Sequence, residues 1–174
     1  MFKNKLKALT CAAMMTAISV IIGIFCKNFM NFGAGLFRIT FENMPIILSG
    51  IVFGPVIGGI VGAVTDLVSY LLSAQIYPPN LIVTLGATLI GAVSGLVSNY
   101  IVKKDGNVKI ILSGVFAHLV GSIVVKSIGL YQFYGVLVLW RIPLYAVIMT
   151  IEIFLICLLY RNANFRKLFC DFKS

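Results

Sequence analysis

The stretch Arg38–Leu72 reads RITFENMPIILSGIVFGPVIGGIVGAVTDLVSYLL. Arg38 and Glu42 form a charged pair directly before an apolar run, Pro55 breaks that run in the middle, and Asp66 sits inside its second half. The reading is two apolar helices, roughly Glu42–Phe53 and Pro55–Leu72, joined by a tight Gly54-Pro55 turn. Met44-Pro45 suits a proline in a first helical turn. Residues 38–43 form a polar entrance to this pair.

The rest of the chain has the same character. Of 174 residues, 60% are hydrophobic and 11% charged, with a mean hydropathy of +1.06. A soluble domain carries roughly 25% charged residues, so most of this surface does not face water. At ~20 apolar residues per membrane span, the length holds about six helices with short loops. The expected fold is all-α: one domain over residues 1–174, an integral bundle of six transmembrane helices. Helix one is Leu6–Cys26, helix four Leu81–Val102, helix five Ile110–Ile128 and helix six Leu139–Tyr160. The segment Gly129–Val138 fits either an extension of helix five or a loop. The first apolar run exceeds the h-region of a secretory signal and lacks a cleavage site before a soluble mature domain, so it reads as a retained helix.

Charge bias sets the orientation. One set of ends collects Lys3, Lys5, Lys7, Lys103, Lys104, Lys109, Arg161, Arg166, Lys167 and Lys173. The other set, residues 27–40, 73–80 and 129–139, has few basic groups. Cytoplasmic loops carry the Lys/Arg excess, so both termini are expected in the cytoplasm. The net charge of +9 then reflects flanks that face anionic lipid, and nucleic acid is not an expected partner. The outward connections carry the polar and aromatic residues, which places any small-molecule site on that side.

Ionisable groups within spans are costly and mark a pathway or a partner. Asp66 lies roughly 16 Å along helix three from Pro55, too deep to snorkel. Arg38, Lys126 and Arg141 are expected around an outward cavity that takes an anion, although Lys126 and Arg141 can equally snorkel to headgroups. Small-residue spacing at Ala13/Ala17, Gly58/Gly62 and Gly91/Gly95 allows close helix approach. Cys11, Cys26, Cys157 and Cys170 show neither metal spacing nor a CxxC pair. There is no GxxxxGK(S/T) loop, and His118 is the single histidine, so no catalytic set, metal centre or cofactor site can be assembled. An enzyme is not expected.

The elements FENMP at Phe41–Pro45, FGPxxGxxxGxxxD at Phe53–Asp66, YPPN at Tyr77–Asn80 and TLGAxxIG at Thr84–Gly91 resemble the folate-specific S components (FolT family) of energy-coupling factor (ECF) vitamin transporters. The resemblance runs over essentially the whole chain. It implies a six-helix vitamin-binding subunit of a bacterial plasma membrane, without ATPase activity of its own. Its partners would be an EcfT-like coupling subunit and two ATPase subunits, and the subunit would topple in the membrane to carry its site inward. The family's AxxxA contact to the coupling subunit falls on Ala13 and Ala17. Folate is a flat pterin with a benzoate linker and a dicarboxylate tail. Phe41, Tyr77, Tyr131, Tyr134 and Trp140 would supply aromatic faces, and Asn43, Asp66, Asn80 and Gln132 polar partners. Arg38, Lys126 and Arg141 would supply carboxylate partners, with Arg141 and Lys126 favoured for the tail. The alternatives are an S component for riboflavin, thiamine or pantothenate, and a solitary secondary transporter. Thiamine, a cation, suits three basic groups poorly. A solitary transporter calls for internal repeats and an ion-coupling relay.

Overall fold

The computed structural model describes residues 2–32, 37–73, 80–102 and 106–162. They are helical apart from one two-residue antiparallel ladder and short connections. Helix α1 is Phe2–Phe29; β1 (Asn31–Phe32) pairs with β2 (Phe37–Arg38) in the register Asn31 to Arg38. Then follow α2 (Asn43–Phe53), α3 (Pro55–Leu72), α4 (Leu81–Leu96), α5 (Asn107–Ala117), α6 (Ser127–Tyr134) and α7 (Arg141–Arg161). Wide π-type turns extend α4 over Val97–Ile101 and join α5 to α6 over His118–Lys126.

The junction of α2 and α3 follows from its two residues. Gly54 has φ 92° and ψ 177°, and its N–H donates to Gly50 O at 2.9 Å. That φ is open to glycine at little cost. Pro55 then occupies the first turn of α3, where its missing N–H would have had no partner. At the other end of the bundle Asn80 caps α4: its Oδ1 accepts from Ile82 N–H at 2.9 Å, and its Nδ2 donates to Gly129 O at 2.6 Å. One side chain thus starts α4 and ties it to α6.

The helical run Asn107–Arg161 spans 55 residues and would measure about 80 Å if straight. It is not straight. Tyr134 ends α6, Gly135 has φ 55° and ψ −139°, and a short 3-10 segment Gly135–Trp140 reverses the chain. Helix α7 then packs against α5. This resolves the open choice over Gly129–Val138: helix as far as Tyr134, then a tight reversal.

Four helical runs, Leu6–Phe29, Pro55–Leu72, Leu81–Ile101 and Asn107–Arg161, are long and apolar enough to cross a membrane. Helix α2, at 11 residues, is about 16 Å long, half the ~30 Å of a hydrocarbon core. It is instead the most enclosed element, with Pro45 to Ile51 all buried. Around it the core gathers Ala12, Val61, Ile90, Ile110, Ala117 and Ile156. Large apolar side chains such as Leu9, Ile21, Ile60, Leu71, Leu85 and Phe154 cover the outside, a surface for lipid.

Helices α2, α3 and α4 cross where glycines lie backbone to backbone. A Cβ on Gly58 would stand 2.5 Å from Gly50 Cα and 2.6 Å from Gly91 O. The sequence spacing Gly58/Gly62 and Gly91/Gly95 is therefore packing within the bundle. Gly95 faces the Gly54-Pro55 turn, so that turn lies at the C-terminal end of α4. The start of α2, the start of α4 and the Lys126–Gly129 segment share the opposite end.

Candidate functional site

At that opposite end, α1, α2, α3 and the wide turn before α6 converge on Glu42, Asn43 and Lys126. Asn43 begins α2, and Glu42 immediately precedes it. Both are buried, as is Lys126. The Lys126 ammonium donates to Asn43 Oδ1 at 3.1 Å and lies 3.9 Å from Glu42 Oε1. Its aliphatic stem runs past α4 where Gly86 makes room: a Cβ there would be 2.6 Å from Lys126 Cγ. Glu42 is wedged against α1 in the same manner. Gly23 leaves space for the carboxylate, since a Cβ would stand 2.5 Å from Glu42 Oε2 and 3.1 Å from Ser69 Oγ. Ser19, one turn earlier on α1, donates its hydroxyl to the Glu42 backbone carbonyl. A buried charge this close to an opposite charge is held by mutual attraction in a medium that screens little.

A second polar contact lies between α3 and α4. Thr84 donates its hydroxyl to Asp66 Oδ2 at 2.7 Å. Asp66 is half-buried. Thr65 and Ser69, one turn apart on α3, are fully buried. Their hydroxyls make no hydrogen bond among the described residues.

A third polar contact is separate. His118 Nε2 approaches Glu152 Oε2 of α7 to 2.7 Å, an ion-pair distance without hydrogen-bond alignment. Its Nδ1 is 3.1 Å from Ser122 Oγ. Both His118 and Glu152 are buried, at 1% and 0% exposure. Arg141, at the start of α7, is buried with its guanidinium carbon 5.4 Å from the centre of the Tyr145 ring.

The residues expected at the site thus divide. Asn43, Lys126 and Arg141 are buried, and Phe41, Asp66 and Asn80 are half-buried. Tyr131, Gln132 and Trp140 lie on the surface, Tyr131 and Trp140 at 59% and 68% exposure. Arg38 belongs to β2, with its side chain outside the described residues, as is Tyr77. Among the described residues, Glu42 with Lys126 and Glu152 with His118 are acid–base pairs closed inside the bundle. Ala13 and Ala17 lie exposed on α1 beside Leu6, Leu9, Met14, Ile18 and Ile21, away from the packed face. Sequence reasoning passed over Ser19, Thr65, Ser69 and Thr84. The signal was the i, i+4 pairing of small polar and glycine residues, Ser19/Gly23 and Thr65/Ser69, which puts them on one helical face.

Among the described residues no group of three or more His, Cys, Asp or Glu could hold a metal ion. Comparison with known proteins gives the family. No curated protein matches the chain. A crystal structure of FolT bound with folic acid is 26% identical with a TM-score of 0.67, covering 94% of this chain and 97% of that one. A solved S component of a bacterial ECF transporter is likewise 26% identical at a TM-score of 0.67, covering 94% and 99%. Residues 7–169 match the family model of the ECF transporter substrate-specific component, and the chain belongs to that family: a membrane transport subunit that binds substrate, not an enzyme.

Proposed function

We propose that this chain captures folate at the outer face of a bacterial plasma membrane, for import driven by an EcfT-like coupling subunit and two ATPase subunits. The observation that carries this reading is its likeness, over 94% of its length, to FolT bound with folic acid. The chain acts as one domain over residues 1–174 with six spans and both termini in the cytoplasm. The Lys/Arg bias supports that orientation, and the clustering of Glu42, Asn43, Asn80, Lys126 and Gly129 at one end of the bundle fits it.

In this reading the pterin lies near Phe41, Asn43 and Asp66, with Asn80 at the edge of the site. Arg141 meets the dicarboxylate tail, because a guanidinium pairs a carboxylate bidentately. Arg38, Tyr77, Tyr131, Gln132 and Trp140 belong to the mouth. The exposed small-residue stripe at Ala13 and Ala17 receives the coupling subunit.

Equilibrium binding of tritiated folic acid to the purified chain, in competition with riboflavin, thiamine and pantothenate, tests the ligand. Saturable folate binding that none of the three displaces is the expected result. Tighter binding of another vitamin overturns the choice of folate. Uptake by proteoliposomes holding this chain alone, without ATP, overturns the division of labour.

A further inference from the structure

We infer that Lys126 fixes which way the Asn43 amide faces, and through it the chain's choice between 4-oxo and 4-amino pterins. The inference rests on the folate reading and deepens it.

A lysine ammonium has three donors and no acceptor. The group 3.1 Å from its Nζ is the oxygen of Asn43, and the chemistry allows no other assignment: the amide nitrogen would set donor against donor. The Asn43 NH2 is therefore turned away from Lys126, and what it offers a ligand is donors alone. Nothing in an asparagine by itself enforces this, since its two ends differ little in size. Lys126 enforces it, and Lys126 is itself held. Glu42 Oε1 lies 3.9 Å from its Nζ, and Gly86 seats its stem. Asn43 is anchored at the start of α2, two residues before the buried Pro45. Lys126 is thus a positioning residue, held beside the Glu42 carboxylate.

Folic acid carries a carbonyl at C4 of the pterin, an acceptor that matches a donor-only amide. Aminopterin, its 4-amino analogue, carries an NH2 there, which faces donor with donor. A mismatched buried polar group costs enough to lower affinity about 10-fold or more. The wild-type chain therefore prefers folic acid over aminopterin by about that factor.

The test is the ratio of the two dissociation constants across a set of purified, monodisperse variants in detergent. Lys126→Met releases the amide to turn its oxygen to the ligand, and the preference falls to within about 3-fold of parity. Lys126→Arg, still donor-only, keeps it. The double variant Glu42→Gln/Lys126→Met removes both charges together and is read if the single variant does not stay folded. Asn43→Asp keeps an acceptor for Lys126 but replaces the ligand-facing donors with acceptors, and the preference inverts towards aminopterin. The inference is overturned if the wild type binds both pterins equally, or if Asn43→Asp still prefers folic acid. It is equally overturned if removing Lys126 leaves the ratio unchanged, or if folded Lys126 variants lose all pterin binding, which would make Lys126 a direct contact. A wild-type chain that binds neither pterin refutes the folate reading itself, and this inference with it.

Discussion

Adjacent glycines on α3 should respond to alanine in opposite directions. At Gly58 the added methyl would stand 2.5 Å from Gly50 Cα and 2.6 Å from Gly91 O, about 1 Å inside ordinary carbon contact. Both obstacles are backbone, so no side chain can turn aside, and α3 must move off α2 and α4 together. Overpacking of this kind costs about 1–3 kcal/mol. At Gly59 the same methyl would meet Ala92 Cβ and Thr88 Cγ2 at 3.6 Å, an ordinary contact, while alanine is favoured over glycine inside a helix by about 0.8–1.0 kcal/mol. The helical preference for alanine acts at both positions and cancels, so the two variants should differ by about 1–3 kcal/mol, or about 2–12 °C in melting midpoint for a chain of this size. Heating each purified protein in detergent and measuring the monomer left by size exclusion gives that difference. Gly58→Ala melting at or above Gly59→Ala would refute the assignment of the α2–α3–α4 crossing as the tight one.

His118→Leu leaves Glu152 buried without its partner and should cost about 3–5 kcal/mol, most of it recovered in the double variant His118→Leu/Glu152→Leu; a double-mutant cycle on detergent unfolding midpoints checks the coupling. Gly135→Ala meets no neighbouring atom within 4 Å but must hold φ 55° and ψ −139°, so it should cost about 1–3 kcal/mol through backbone strain alone, read as a lowered midpoint with folate affinity retained. Ala13→Leu with Ala17→Leu enlarges an exposed face of α1 and should abolish folate uptake by the reconstituted transporter while purified-chain binding stays within about 3-fold, since no packed or ligand-facing group is touched; weakened binding with intact assembly would refute the docking role.

The sequence was most legible where a single residue dictates local backbone. Pro55 set the start of α3 and Leu72 ends it as expected; the expected start of helix four at Leu81 is the start of α4; the lack of any turn residue but glycine near 129–138 left the reversal open, and Gly135 decides it by its φ. One contact was not legible: Lys126, 84 positions along the chain from Glu42, comes within 3.9 Å of its carboxylate. The physical reason lies in the wide turns over His118–Lys126. Each carries more residues than an α-turn, so a 3.6-residue template loses phase across them. The same displacement explains why a membrane chain tolerates Lys126 at all. On an unbroken α-helix its phase relative to His118 would differ; the wide turns bring both inward, one to Glu152 and the other to Glu42. These two buried bases thus meet carboxylates on different elements, His118 on α7 and Lys126 at the entry to α2. Lys126, already beside an interior carboxylate, makes a poor trap for a dianion, and in the proposed reading its part in ligand selection is to hold the Asn43 amide in place.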